Sequence, residues 1–190
     1  VGQQVVSAAL ARGHTIRAVA RRATNLSKLP WANNPNVELV NLDLRSRNGL
    51  SGAMEGVDAV IHAAATKGGD LYSQLAGTVL ATENLIAAMK EAGVNRIVGI
   101  STFSVYDYSR IWSHSRLTEN SPVISEKAFD RDDYAQTKLI QERLLLDQQK
   151  AGWNVTVLRP GVIYGQDNTW TARLGAGGKG AGGASAGPRR

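Results

Sequence analysis

Val57–Ala65 (VDAVIHAAA) is apolar on both of its alternating faces, and this run constrains the fold more than any other part of the chain. A strand wetted on one side alternates polar with apolar residues, whereas a strand covered on both sides does not, and such strands belong to parallel sheets. Helical and strand patterns alternate around it. Gly2–Arg12 has Val6, Ala9 and Leu10 on one helical face and stops at Gly13, the residue suited to a left-handed cap. His14–Ala20 and Asn36–Leu42 are predicted strands, followed by a weak helix near Leu50–Glu55. Leu71–Ala92 is predicted as one long helix with Leu75, Val79, Ile86 and Met89 at helical spacing, closed by Gly93. Arg96–Ser101 is then a strand, Asp132–Ala151 a helix and Trp153–Leu158 a strand. This order predicts an α/β fold, a doubly wound parallel sheet with helices on both faces. Ligands of such sheets bind beyond the carboxyl ends of the strands, so functional residues are sought there.

Several function classes fall away. The chain has no Cys, which excludes a disulfide scaffold, a thiolate nucleophile and a Cys-ligated zinc site. The three His have no metal-ligand spacing, and no metal is assigned. No apolar stretch approaches the length of a membrane-spanning helix, so no membrane partner is expected. The net charge of +6 invites a nucleic-acid reading. However, Arg173, Lys179, Arg189 and Arg190 lie in a segment without acids after Thr169, and they carry most of that charge. No basic face for nucleic acid remains. Leu174–Arg190 is mostly Gly, Ala and Ser and cannot bury enough apolar surface to fold, so residues 169–190 are expected to be a disordered tail behind a domain at residues 1–168. Val1 is not an initiator Met, and the expectation is of a piece cut from a longer protein.

Tyr134 and Lys138 in DDYAQTK stand four residues apart, on one face of the predicted helix. An ammonium near a phenol favours the phenolate, so the pair can exchange protons near neutral pH. It can equally be a surface Tyr beside a solvated Lys, because such a pair arises by chance in roughly one chain in five of this composition. Ser101-Thr102-Phe103-Ser104-Val105-Tyr106 begins where a predicted strand ends, where a hydroxyl can meet a substrate oxygen or simply form a turn.

Taken in order, these pieces resemble the NAD(P)-dependent epimerase/dehydratase family of extended short-chain dehydrogenases/reductases. The matching segments are Val1-Gly2, Asn41–Leu44, His62–Ala65, Ser101–Tyr106, Tyr134…Lys138 and Leu158–Gly165. The resemblance implies a Rossmann-like sheet, here lacking its first strand and most of the substrate domain. It implies that Thr102 orients a substrate hydroxyl, that Tyr134 transfers the proton, and that Lys138 favours the phenolate and holds the nicotinamide ribose. Val1 and Gly2 correspond to the end of the glycine loop, Asp43 and Leu44 to an adenine contact, and Ala63, Ala64 and Ala65 to the turn under the pyrophosphate. Lys67 and Pro160 correspond to positions near the nicotinamide. Duller roles stay open: Asp43 can cap its own turn, and His62, inside an apolar strand, suits a hydrogen-bonded core residue.

The departures from the family pattern carry information. Without the upstream strand and two glycines, the 190-residue chain is expected to bind dinucleotide poorly. Thr78 occupies the place of the family's Asn on the long helix, which leaves the proton-relay role of that position open. Where NAD-preferring members carry an acid after the second strand, this chain has Ala20 followed by Arg21 and Arg22, which favours NADP over NAD. Phe103-Ser104 replaces the Asp-Glu of the sugar-nucleotide dehydratases, so elimination is not expected. Nucleotide-sugar epimerisation is the leading expectation, with an NADPH-dependent ketone or aldehyde reductase as the alternative and a non-catalytic dinucleotide sensor behind both. A cytoplasmic enzyme, a homodimer at full length, with a nucleotide-sugar substrate completes the expectation.

Overall fold

A computed structural model describes residues 1–21, 28–112, 114–125 and 132–165. Among these described residues, five strands and five α-helices follow one another in the predicted order: α1 (Gly2–Leu10), β1 (Ile16–Ala20), β2 (Val37–Asn41), α2 (Leu50–Ala53), β3 (Val60–His62), α3 (Leu71–Gln74), α4 (Ala81–Glu91), β4 (Arg96–Ile100), α5 (Asp133–Lys150) and β5 (Asn154–Leu158). Every strand pair is parallel. The predicted single sheet is divided, however, into a two-stranded part, β1-β2, and a three-stranded part, β3-β4-β5. Among the described residues no strand bridges β1 and β3. The apolar run Val57–Ala65 accordingly contributes only Val60–His62 as strand, and Ile61 is about half exposed at 49% instead of covered on both faces.

The core lies under the three-stranded part. Leu50 of α2, Met89 of α4, Ile97 of β4 and Leu145 of α5 are almost entirely buried and belong to one apolar cluster. Removing any one of them would leave a cavity costing about 2–5 kcal/mol. A second cluster, Val105, Ile124, Ala135 and Leu139, fastens the segment after β4 to the face of α5. Asp132 caps α5 by accepting from the Ala135 amide at 2.8 Å, with Asp133 in the first turn and Lys150 in the last, as the helix dipole favours. Gly93, at φ +71°, ends α4 and lets the Val94 amide reach back to the Met89 carbonyl at 2.9 Å.

The predicted long helix Leu71–Ala92 is not uniform. Between α3 and α4 the segment Leu75–Leu80 is π-helical. Such insertions are rare and often stand at functional sites. Here the segment packs closely on the residues after β3. A Cβ on Gly77 would lie 1.9 Å from Thr66 Oγ1, and the Thr66 amide donates to Thr78 Oγ1 at 3.1 Å. Among the described residues no helix is long and apolar enough to cross a membrane, and no group of three His, Cys, Asp or Glu could hold a metal ion.

Candidate active site

The division between β1 and β3 opens a cleft of about 250 Å³ at the carboxyl ends of the strands. Its floor is made of small residues, Ala63, Ala64 and Ala65 after β3 and Gly77 and Ala81 from the helix behind. Its far wall holds Arg21 after β1 and Asp43, Leu44 and Arg45 after β2. Six residues expected to meet a cofactor therefore converge: Arg21, Asp43, Leu44 and the three alanines. Arg22 lies outside the described residues, as does the expected tail at 169–190. Val1 and Gly2, at the start of α1, are exposed and do not line this cleft.

Asp43 takes the cap role that the sequence left open, and it also faces the cleft. It accepts the Arg45 amide at 3.0 Å, capping its own turn, and it lines the cleft. The Arg45 guanidinium also grips both carboxylate oxygens, at 3.0 Å from Nε and 2.5 Å from Nη2. These hydrogen bonds, with Arg21 adding a smaller attraction, hold the carboxyl at about 2. The wall is further fixed by Asn84 of α4, which donates to the Leu44 carbonyl at 2.9 Å. Arg17 of β1 is committed elsewhere, to Glu38 at 2.6 Å and to the carbonyls of Ala53 and Glu55.

Tyr134 and Lys138 stand in the first turns of α5, with Lys138 at the carboxyl end of β4. Lys138 is buried, and its Nζ donates to the Ile100 carbonyl at the end of β4 and to Gln141 Oε1. Burial, opposed by Glu142 and reinforced by Lys67, lowers its pKa to about 8. Lys67 lies 5.8 Å from the centre of the Tyr134 ring, so the lysine matched only by position does reach the Tyr–Lys pair. Thr102, two residues beyond Ile100, is buried and accepts the Ser104 amide at 3.2 Å, capping a short 3₁₀ turn. Pro160 sits beside it, since its carbonyl accepts the Phe103 amide at 3.0 Å. Where a dehydratase would need Asp-Glu, Phe103 instead packs edge-on against Tyr108 and Ser104 is buried.

His62 is the core residue that its strand context predicted. It is buried, Nε2 lies 2.9 Å from Thr82 Oγ1 and 3.0 Å from Gln141 Nε2, and burial followed by the Lys138 charge lowers its pKa to about 4. Thr78 stands where the family carries Asn and is fully buried on the Thr66 amide. Sequence reasoning missed Arg45, Gln141, Glu142 and Arg159. Arg45, two residues from a predicted adenine contact, was the one with a usable local signal.

Small residues flooring a cleft that two guanidiniums and a carboxylate overlook suit a nucleotide with phosphate groups, and the buried Lys138 beside Tyr134 suits its hydroxylated end. The fold and this arrangement define a dinucleotide-binding α/β protein. A family model described as NAD(P)H-binding matches residues 1–189. Sterol demethylase protein B of Methylococcus capsulatus is 30% identical over 168 residues, covering 87% of this chain and 49% of that protein. The 3 beta-hydroxysteroid dehydrogenase/Delta 5-->4-isomerase of Mycobacterium tuberculosis is 31% identical over 185 residues, covering 92% and 47%. The solved structure of MoeE5 in complex with UDP-glucose and NAD is 28% identical, with a TM-score of 0.63 over 82% of this chain and 48% of that one. The chain belongs to the NAD(P)H-binding family, in its extended short-chain dehydrogenase/reductase, epimerase/dehydratase branch. It spans about half the length of the curated relatives it matches.

Proposed function

We propose that the full-length protein is an NAD(P)-dependent oxidoreductase that interconverts a secondary alcohol and a ketone. The observation that carries this reading is the buried Lys138 one helical turn from Tyr134, with Lys67 against the same ring. Arg21 and Arg45 would hold phosphate oxygens, Asp43 and Leu44 the adenine, Ala63–Ala65 the pyrophosphate turn, and Lys138 the ribose. A bound nicotinamide would supply the acceptor or donor of the hydride. Tyr134 takes the proton from the substrate hydroxyl in oxidation and returns it to the carbonyl oxygen in reduction. The ammonium of Lys138 favours the phenolate that the first of these needs. Thr102 orients the substrate oxygen. Arg21 in the cleft supports NADP over NAD, because a guanidinium can fork onto a 2′-phosphate.

The names of the curated relatives support a sterol or similar apolar alcohol as substrate. Nucleotide-sugar epimerisation, in which the same residues act twice, is the second reading, supported by the UDP-glucose complex of MoeE5. Incubating the full-length protein with reduced or oxidised cofactor and panels of keto sterols, hydroxysterols and UDP-sugars separates them. Stoichiometric cofactor turnover with a sterol is the expected result. Epimer formation without net turnover would replace it with the second reading, and turnover retained by Tyr134→Phe would overturn both.

A further inference from the structure

Gln141 lies one turn beyond Lys138 on α5, 2% exposed, with every polar atom of its amide engaged. Its orientation is dictated from behind. Thr82 Oγ1 has a single proton and gives it to the Thr78 carbonyl at 2.6 Å, so toward Gln141 it can only accept. Gln141 Nε2 therefore donates to Thr82, at 2.9 Å, and its second proton points to His62 Nε2 at 3.0 Å. His62 is neutral over the ordinary pH range, and it receives that proton in the tautomer that carries its own on Nδ1. With Nε2 fixed by both partners, Oε1 has to face Lys138, where it accepts from Nζ. The Ile100 carbonyl takes another of the three ammonium protons, which leaves one for the open side of the site.

We infer that Gln141 is a positioning residue for Lys138: its amide, oriented by Thr82 and His62, holds the ammonium at the end of β4 and limits it to one free proton. The role rests on the Tyr134–Lys138 reading above and assigns the task of aiming Lys138 to a residue that itself meets neither substrate nor cofactor. An acceptor facing a buried ammonium stabilises the charged form. The charged and titratable groups around Lys138 are Tyr134 and Glu142 on α5, Lys67 after β3 and His62 on β3, and Gln141 is the neutral member that completes the shell.

The test uses the full-length protein with Lys labelled for NMR, so that the Lys138 titration is followed directly as well as through the pH profile of kcat. Gln141→Met removes the acceptor and is expected to move the Lys138 midpoint, and the alkaline limb of kcat with it, about one pH unit downward. Gln141→Glu keeps the volume and adds a negative charge, and is expected to move both upward. KM should change little in either variant. Unchanged midpoints in folded variants, verified by thermal melting, would reduce Gln141 to a packing residue and overturn the inference. If Lys138→Met keeps full activity, the Tyr134–Lys138 reading fails instead, and the NMR midpoint still decides the role of Gln141.

Discussion

Glu142 holds Arg159 across the gap between α5 and the end of β5, accepting from its Nε at 3.1 Å on both carboxylate oxygens. The same carboxylate accepts the Ser101 hydroxyl at 2.7 Å, and the Arg159 guanidinium lies over the Tyr106 ring at 4.9 Å. The side chain of Glu142 is 3% exposed and that of Arg159 19%. The pair thus ties the helix of Tyr134 and Lys138 to the strand ends carrying Thr102 and Pro160. Hydrogen bonding to Glu142 raises the pKa of Arg159, so the guanidinium stays charged at any working pH.

Arg159→Met leaves the buried Glu142 carboxylate without its hydrogen-bonded guanidinium. A loss of about 3–5 kcal/mol is expected by urea denaturation. Adding Glu142→Leu to that variant should recover part of the loss, because the buried carboxylate then disappears. A double variant as unstable as the sum of the two single ones would refute this account of the pair.

Burial first, and then the like charge of Lys67, lowers the pKa of Lys138, which gives a pH prediction with a definite sign. Lys138 titrates at about 8 in the folded chain against an ordinary 10.5. Between those values the unfolded state binds more protons, so stability rises with pH there, and the penalty is fully present below about pH 8. The alkaline limb of kcat/KM should fall where Lys138 loses its proton. Lys67→Met removes a like charge and should shift that limb to higher pH. A limb that stays in place, or moves down, would contradict the coupling.

Gly77→Ala should destabilise the cleft floor. The added methyl would meet Thr66 Oγ1 at 1.9 Å and Thr66 Cβ at 2.8 Å, so the segment after β3 has to move, at a cost of about 1–3 kcal/mol. Gly68→Ala is the control, since nothing lies within 4 Å of its added carbon. Thermal melts of the two variants should separate clearly, and dinucleotide affinity should fall only for Gly77→Ala.

Arg21→Ala in the full-length protein should raise the KM for NADP(H) several-fold while leaving that for NAD(H) nearly unchanged. Steady-state kinetics with both cofactors reads this directly. Equal effects on the two would remove the proposed preference and leave Arg21 as general phosphate attraction, a role it shares by position with Arg45.

Much of the architecture was legible because local periodicity reports local burial. All five strands and the helices beside them lie within a few residues of their predicted bounds, and Tyr134 and Lys138 share a helix whose Asp132 cap is visible in the sequence. The break in the long helix was not legible. Leu75–Leu80 has an ordinary helical pattern, and the π-helical turn stands where Gly77 approaches Thr66 from the segment after β3, a contact that no local pattern shows. The division of the sheet was not legible in the strand patterns either, and only the resemblance, which implies a sheet lacking its first strand, pointed to it. Val57–Ala65 is apolar enough for a strand covered on both faces, yet whether a neighbour lies along each edge is a property of strand order and not of the run itself.

The sequence alone determined the alternation of elements, the small residues after β3 and the Tyr–Lys pair, since each depends on residues close together in the chain. Tertiary structure decided what surrounds them. Gln141 meets His62 across 79 positions and Thr82 across 59, and Arg159 meets Glu142 across 17. Buried polar groups must find partners wherever packing brings them. Those long-range pairings, invisible to any local pattern, turn a Tyr-x-x-x-Lys spacing into a lysine with two fixed acceptors and one proton left to give.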